Sequence, residues 1–144
     1  MSTHNRPTAR LLAATVVVGS IAVLATGCSL GGDAWAVTYE VQVDRPIGSE
    51  LSDLRVEGAE QRGDAPEVRR LGAQDTDTDD GDGSLWRHES VVVAEQHASV
   101  RATPPEGATA TCRILLDGVR EIASETSAQP GQAVHCSADT PAFD

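Results

Sequence analysis

Residues Thr109 to Cys136 read TATCRILLDGVREIASETSAQPGQAVHC, and this stretch decides the fold. Between Thr109 and Leu116 every second side chain is apolar, and that period of two predicts a half-buried strand. Asp117-Gly118 follows at once and supplies the positive φ angles that a type I′ hairpin turn needs. The chain is therefore expected to return as a second strand over Val119 to Thr126.

A second reversal at Gln129 to Gln132, with Pro and Gly at its centre, leads into a third strand from Ala133 to Ser137. Read as two hairpins, the turns place Ala123 opposite both Cys112 and Ala138. A flat meander would then hold Cys112 and Cys136 roughly 9–10 Å apart. Bridged cysteines need Cα atoms within about 7 Å. A disulfide and a flat three-stranded sheet are therefore hard to reconcile. We predict the Cys112–Cys136 bridge and hence a sheet that folds over, so that the two cysteines meet across a sandwich or along a shared edge. The predicted fold is all-β, an immunoglobulin-like β-sandwich of about seven short antiparallel strands.

The rest of the chain supplies the other strands. Ala34 to Asp44 is the cleanest, because apolar side chains at alternate positions from Trp35 to Val43 share one face. Trp35 and Trp86 are expected to be core residues rather than ligand platforms. No stretch has the period of an amphipathic helix. The remaining predicted strands are Leu51 to Glu57, Pro66 to Leu71, Leu85 to Ala94 and Ala98 to Thr103.

The N-terminus has the layout of a secretory signal peptide, with a positive segment to Arg10 and an apolar run from Leu11 to Thr26. Leu24-Ala25-Thr26-Gly27-Cys28 resembles a bacterial lipobox, in which the cysteine thiol receives diacylglycerol. The expected organisation is a signal peptide over 1–27, a lipidated Cys28 with a tether over 28–33, and a β-sandwich domain over 34–144. An uncleaved transmembrane helix over Leu11 to Gly32 is the alternative.

Either anchor places the domain on the extracytoplasmic side of the cell membrane, because the leader arginines favour staying inside. With lipid on Cys28, Cys112 and Cys136 are left as a pair in an oxidising compartment. Closing a loop of roughly 25 residues is expected to stabilise the fold by about 3–3.5 kcal/mol. A metal site of both cysteines with His135 or His97 is the alternative, although the spacing matches no zinc pattern.

The charge excludes one class of partner. The chain has 11 basic residues, all of them Arg, against 22 acidic ones, for a formal charge of −11. Arg6 and Arg10 lie in the leader, so without it the charge falls to −13. An acidic surface repels nucleic acid, and no nucleic-acid partner is expected.

An acidic stretch from Gln74 to Ser84 carries carboxylates at alternate positions. Asp75, Asp77 and Asp79 resemble the first half of an EF-hand loop and make a calcium site the sharper hypothesis. The position for the invariant Gly holds Asp80 and the position for the final Glu holds Trp86. The sequence therefore favours a solvated acidic loop and no metal.

Catalysis is not expected, and no cofactor is implied. His88, Glu89 and Ser90 are the residue types of a hydrolase, but neighbours on a strand point to opposite faces and cannot form a triad among themselves. The sequence also lacks a Gly-x-Ser-x-Gly nucleophile elbow.

The run from Cys112 to Gly118, CRILLDG, followed by Cys136, resembles the C-terminal signature of the MmpS family. Val37 to Val41 resembles the first strand of that family, and Leu85-Trp86 resembles the end of its Pro-Leu-Pro-Trp element without the prolines. The likeness covers roughly Trp35 to Ser137. It implies an immunoglobulin-like sandwich outside the membrane that serves MmpL exporters, RND-class pumps for lipids and siderophores. The predicted function is a non-enzymatic, lipid-anchored accessory protein. The alternative is a stand-alone surface lipoprotein that binds an unknown ligand.

Overall fold

The computed structural model describes residues 32–143, which fold into two antiparallel sheets of five and four strands with one disulfide. The predicted all-β sandwich is confirmed. The leader and Cys28 lie outside the described residues, so the predicted lipidation falls outside them too. Across residues 32–143 no helix has the length and apolar character needed to cross a membrane. The strands are β1 (Ala34–Val43), β2 (Glu50–Gly58), β3 (Glu67–Asp75), β4 (Thr78–Asp79), β5 (Ser84–Val93), β6 (His97–Thr103), β7 (Ala110–Leu116), β8 (Arg120–Thr126) and β9 (Val134–Asp139).

Sheet A has the strand order β4-β5-β1-β7-β8. Strand β1 lies between β5 and β7, with Val41 opposite Trp86 on one side and Cys112 on the other. Its apolar positions point into the sandwich, as the alternation in the sequence predicts. Its other face is covered by neighbouring side chains, so that Thr38 and Glu40 are also buried.

Sheet B has the order β3-β2-β6-β9. The pairing of eight of these strands follows that of an immunoglobulin variable domain, and β8 is an additional edge strand: β1 to β6 take the places of strands B, C, C′, D, E and F. Strand β9 lies beside β6, where strand G belongs. Strand β7 lies beside β1, where the first strand A belongs, although it comes late in the chain. The sandwich arrangement is therefore retained, but the strand in the position of strand A comes from a later part of the chain.

The disulfide crosses between the sheets. Cys112 lies on β7 of sheet A and Cys136 on β9 of sheet B, with their Cα atoms 5.9 Å apart and a sequence separation of 24. Both cysteines are fully buried. The predicted bridge and its path across the sandwich are both confirmed, and the alternative metal site is excluded because both thiols are consumed.

Three details of the sequence prediction are wrong. Leu116 pairs with Arg120 rather than Val119 and β8 carries a bulge, so Cys112 lies opposite Glu125 rather than Ala123. The Pro-Gly turn does not close a hairpin, because it carries the chain from sheet A to sheet B, where β9 pairs with β6. Residues 32–143 form nine strands rather than about seven, and β4 lies within the acidic stretch that was expected to be a loop.

The core lies between the sheets and is built of aliphatic side chains with two aromatic ones. Tyr39 is fully buried, and its hydroxyl donates a hydrogen bond to the backbone carbonyl of Glu57 in the opposite sheet. Burial raises the pKa of the Tyr39 phenol far above its ordinary value. The largest fully buried aliphatic side chains are Leu51, Leu54, Ile114, Leu116, Val37, Val41, Val43, Val56, Val92 and Val100.

The sandwich has two ends, which differ in what they carry. At the end where β1 begins, here the proximal end, lie the start of the domain at residues 32–33, the Asp117-Gly118 turn and the last described residues, to Phe143. At the opposite, distal end lies the acidic loop between β3 and β5. The antiparallel register of β1 with β5 and β7 fixes this arrangement.

Candidate functional site

A recess of about 480 Å³ opens on the outer face of sheet A at the proximal end. Its floor comes from β1 and β5, where Ala36 pairs with Val91 and Thr38 with Glu89. Its walls come from the chain after β2 and from the turn between β7 and β8. The lining residues are Ala36, Val37, Thr38, Glu60, Glu89, Ser90, Val91, Asp117 and Gly118. The volume lies in the range of small-molecule pockets.

The walls are positioned by backbone hydrogen bonds. Ala59 exchanges two hydrogen bonds with Val91, with N–O distances of 2.8 and 2.9 Å, and this places Glu60 at the rim. Asp117 donates its N–H to the carbonyl of Ala36 at 2.8 Å. Asp117 and Gly118 have φ angles of 50° and 71°, as the predicted type I′ turn requires. Loop, strand and turn are therefore fixed to one another.

Three carboxylates line the recess, and no basic side chain does. Glu60 forms an ion pair with Arg69, with an Oε1–Nη2 distance of 2.6 Å. Within residues 32–143, no arginine or histidine nitrogen lies within 4 Å of the carboxylates of Glu89 or Asp117. The electrostatic potential in the recess is therefore negative, and charge attracts only cations to it.

Thr38 lines the recess from β1. The residue is only 7% exposed, and its hydroxyl makes no hydrogen bond to another described residue. The Oγ1 atom points toward the turn, since it lies 4.0 Å from where a Cβ on Gly118 would be. A buried hydroxyl normally has a partner, so an open hydroxyl in a recess is a place for a ligand atom.

Next to the recess, Glu40 is buried beneath two arginines. The Oε1 atom of Glu40 accepts hydrogen bonds from Nε and Nη2 of Arg87, at 3.0 and 2.6 Å. Arg113 approaches Oε2 from the other neighbouring strand, with its Nε 3.8 Å away. These three residues face each other across β5, β1 and β7, so they hold the outer face of sheet A together, and with two arginines to one glutamate they leave one positive charge uncompensated.

The acidic loop does not gather its carboxylates. Asp77 accepts a hydrogen bond from the Thr78 hydroxyl at 2.8 Å, and Asp79 accepts one from the N–H of Gly81 at 2.7 Å. Asp75 ends β3 opposite Glu50. Asp75, Asp77 and Asp79 thus lie along an extended segment, and the described part of the chain holds no group of three or more His, Cys, Asp or Glu side chains placed to bind a metal ion.

The three hydrolase-type residues of β5 are separated. His88 and Ser90 lie on one face of β5 and Glu89 on the other, as the strand period predicts. The Ser90 hydroxyl donates to the backbone carbonyl of Ala59 at 2.9 Å, so it is held by the fold. The His88 ring stacks on Trp86 with ring centres 5.8 Å apart.

His88 has the electrostatics of a packed side chain. Its Nε2 atom is buried and has no hydrogen-bond partner among the described residues. Burial and the nearby Arg69 lower the pKa of His88, while Glu60 and Glu89 act in the opposite direction. The neutral ring is therefore favoured, and no side chain is placed to orient it as a catalytic base.

The two tryptophans differ in their packing. Trp86 is 5% exposed and belongs to the core, as predicted. Trp35 is half-buried at the proximal end, where it stacks on Phe143 with ring centres 4.1 Å apart and donates its indole N–H to the carbonyl of Pro141. This aromatic pair fastens the end of the chain to the start of β1.

Sequence reasoning missed the recess. It assigned Asp117 only to a turn, and it treated Thr38 as one polar residue in an alternating strand. Thr38 could have been recognised only as a polar residue on a central strand. The sequence does not show which strands pair with β1, so that signal could not be used.

No protein-family model matches the chain, and searches of curated proteins and of solved structures found no match.

Proposed function

We propose that the chain is a non-enzymatic, lipid-anchored accessory protein on the extracytoplasmic side of the cell membrane, and that it assists an RND-class exporter of the MmpL type in moving lipids or siderophores. The exporter part depends on the resemblance of CRILLDG and Cys136 to the MmpS signature. The anchor part depends on Cys28 and the leader before it.

The observation that carries the proposal is the Cys112–Cys136 bridge. A buried disulfide that joins the two sheets of a small domain is typical of proteins outside the cytosol. It uses two of the three cysteines and leaves Cys28 for another role. A thiol at the end of an apolar leader is the one that a lipid would take.

The two ends of the sandwich support this orientation. The described residues begin at the proximal end, at residue 32, so a lipid on Cys28 would hold that end next to the membrane. The acidic loop then points away from it by about the length of a ten-residue strand, roughly 30 Å. That separation keeps the five aspartates of the loop away from anionic lipid head groups.

The anchor is tested by growing cells with an alkyne fatty acid and comparing the wild type with Cys28→Ala. Label on the wild type and none on Cys28→Ala is expected, while the double variant Cys112→Ala/Cys136→Ala keeps the label. A wild-type protein without label would refute the anchor.

The exporter is tested separately. The protein is tagged at its C-terminus, crosslinked in intact cells and purified from the membrane fraction. An RND-class exporter is expected among the crosslinked proteins. If repeated purifications contain none, the exporter part of the proposal fails while the anchor stands.

A second function, a stand-alone surface lipoprotein that binds a small molecule, is favoured by one observation. The recess has a partly apolar floor, a Thr38 hydroxyl that makes no hydrogen bond to a described residue, and two carboxylates that no described arginine or histidine neutralises. These are the features of a ligand pocket, and they do not require an exporter.

A further inference from the structure

We propose that the recess at the proximal end of sheet A is a binding site for a small aliphatic diamine. The proposal concerns the sandwich alone, so it is independent of lipidation and of any exporter.

The charge of the ligand follows from the lining. The side chains of the recess offer hydrogen-bond acceptors from Glu60, Glu89 and Asp117, and they include no arginine. An ammonium group has three donors and no acceptor, so it complements this lining. An anionic ligand would meet the carboxylates of Glu89 and Asp117, which no described arginine or histidine neutralises, beside the Glu60–Arg69 ion pair.

The acidic walls alone would not define a site, but Thr38 adds an independent feature. Its hydroxyl oxygen faces the Gly118 side of the recess, in a residue that is 7% exposed, and no described residue forms a hydrogen bond with it. An ammonium group bound there would donate a hydrogen bond to that hydroxyl oxygen. Ala36 and Val91 beside it provide an apolar surface for methylene groups.

The spacing of the carboxylates favours two amino groups over one. Glu89 lies on β5 and Asp117 at the end of β7, and both strands pair with β1 between them. Strands two positions apart in a sheet are separated by about 10 Å. A short diamine can therefore reach both carboxylates with its methylene chain across the floor.

The lining also disfavours a different class of cation. No aromatic side chain lines the recess. Quaternary ammonium ligands, which lack N–H donors, are held mainly by aromatic faces. Choline is therefore expected to bind much more weakly than putrescine.

The test is an NMR titration of full-length, ¹⁵N-labelled protein in detergent with putrescine at low salt. Backbone amides of Thr38, Glu89 and Gly118 are expected to shift, with a dissociation constant on the order of 0.1–1 mM for exposed ion pairs. Choline and the neutral 1,4-butanediol, at equal concentration, are expected to leave these amides unchanged.

Variants distinguish the recess from the general negative charge of the protein. The double variant Glu89→Gln/Asp117→Asn should bind putrescine about tenfold more weakly, and Thr38→Val a few-fold more weakly. Glu125→Gln removes one charge from the exposed end of β8 and should bind like the wild type. The spectrum of each variant reports whether it is folded.

Three results would overturn the proposal: no shift of the recess amides with putrescine, equal shifts with butanediol or choline, or equal weakening by Glu125→Gln. The last result would assign the binding to diffuse charge.

Discussion

Removing the Cys112–Cys136 bridge is the most direct test of how this sandwich is held together. The bridge closes a loop with a sequence separation of 24. In the chain-entropy model, closing a loop of about this length lowers the conformational entropy of the unfolded chain by roughly 12 cal/mol/K. This stabilises the folded state by about 3.5 kcal/mol at 25 °C. For a domain of roughly 110 residues, with an unfolding entropy near 2.1 cal/mol/K per residue, that loss lowers Tm by about 15 °C.

The assay is thermal unfolding by circular dichroism of the oxidised wild type and of Cys112→Ala, Cys136→Ala and the double variant. Either single substitution already opens the loop, so the two losses should not add, and all three variants should unfold at about the same temperature. A decrease below about 5 °C would refute the loop-closure reasoning, because roughly 1 kcal/mol is within the cost of any core substitution. Additive losses from the single variants would refute it as well, since they would mean that each side chain contributes only its own packing.

Three other predictions concern side chains away from the bridge. Glu40→Gln should cost about 1–2 kcal/mol in urea unfolding, because it weakens charge-assisted hydrogen bonds to a half-exposed arginine, whereas Glu125→Gln on the exposed edge should stay within about 0.5 kcal/mol. Gly83→Ala should lower the free energy of unfolding by several kcal/mol, because the new Cβ would lie 2.0 Å from a backbone carbonyl oxygen of the neighbouring β1. The control Gly81→Ala, in open space with a positive φ, should lower it by about 1 kcal/mol. Equal losses in the two variants would contradict this. Burial holds the pKa of His88 below its ordinary value, so His88 binds a proton more readily in the unfolded chain than in the folded one. The Tm should therefore fall as pH drops below about 6.5. The decrease should be smaller in His88→Phe, in which this position does not titrate.

Most of the fold could be read from the sequence, because alternation and turn chemistry are local. The period of two in Ala34–Val43 and Ala110–Leu116 predicted both strands within one residue of their observed bounds. The Asp-Gly turn formed as its φ requirement dictates. Given a Cys112–Cys136 bridge, the distance limit correctly predicted a sheet that folds over, even though the assumed register was not correct.

The parts that failed depend on contacts that no local signal reports. The bulge in β8 adds one residue, and nothing in Arg120–Thr126 marks its place. A Pro-Gly turn has the same sequence whether the next strand continues the sheet or crosses to the other one. Here the chain crosses to sheet B, where β9 pairs with β6 at the edge of the sheet. The recess could not be predicted for the same reason, because it forms only where β5, β1 and the turn after β7 meet.

Asp117 is the residue at which fold and site can be separated. A type I′ turn needs a positive φ, and asparagine adopts that conformation as readily as aspartate. Asp117→Asn should therefore keep the turn, the register of β7 with β1 and the melting temperature within a degree or two, while it removes one of the two carboxylates that no cation neutralises. If putrescine binding and stability fall together in this variant, the carboxylate stabilises the turn and the recess has no separate role. If binding falls alone, the turn chemistry explains only why the position is Asp or Asn, and the ligand explains why it is Asp.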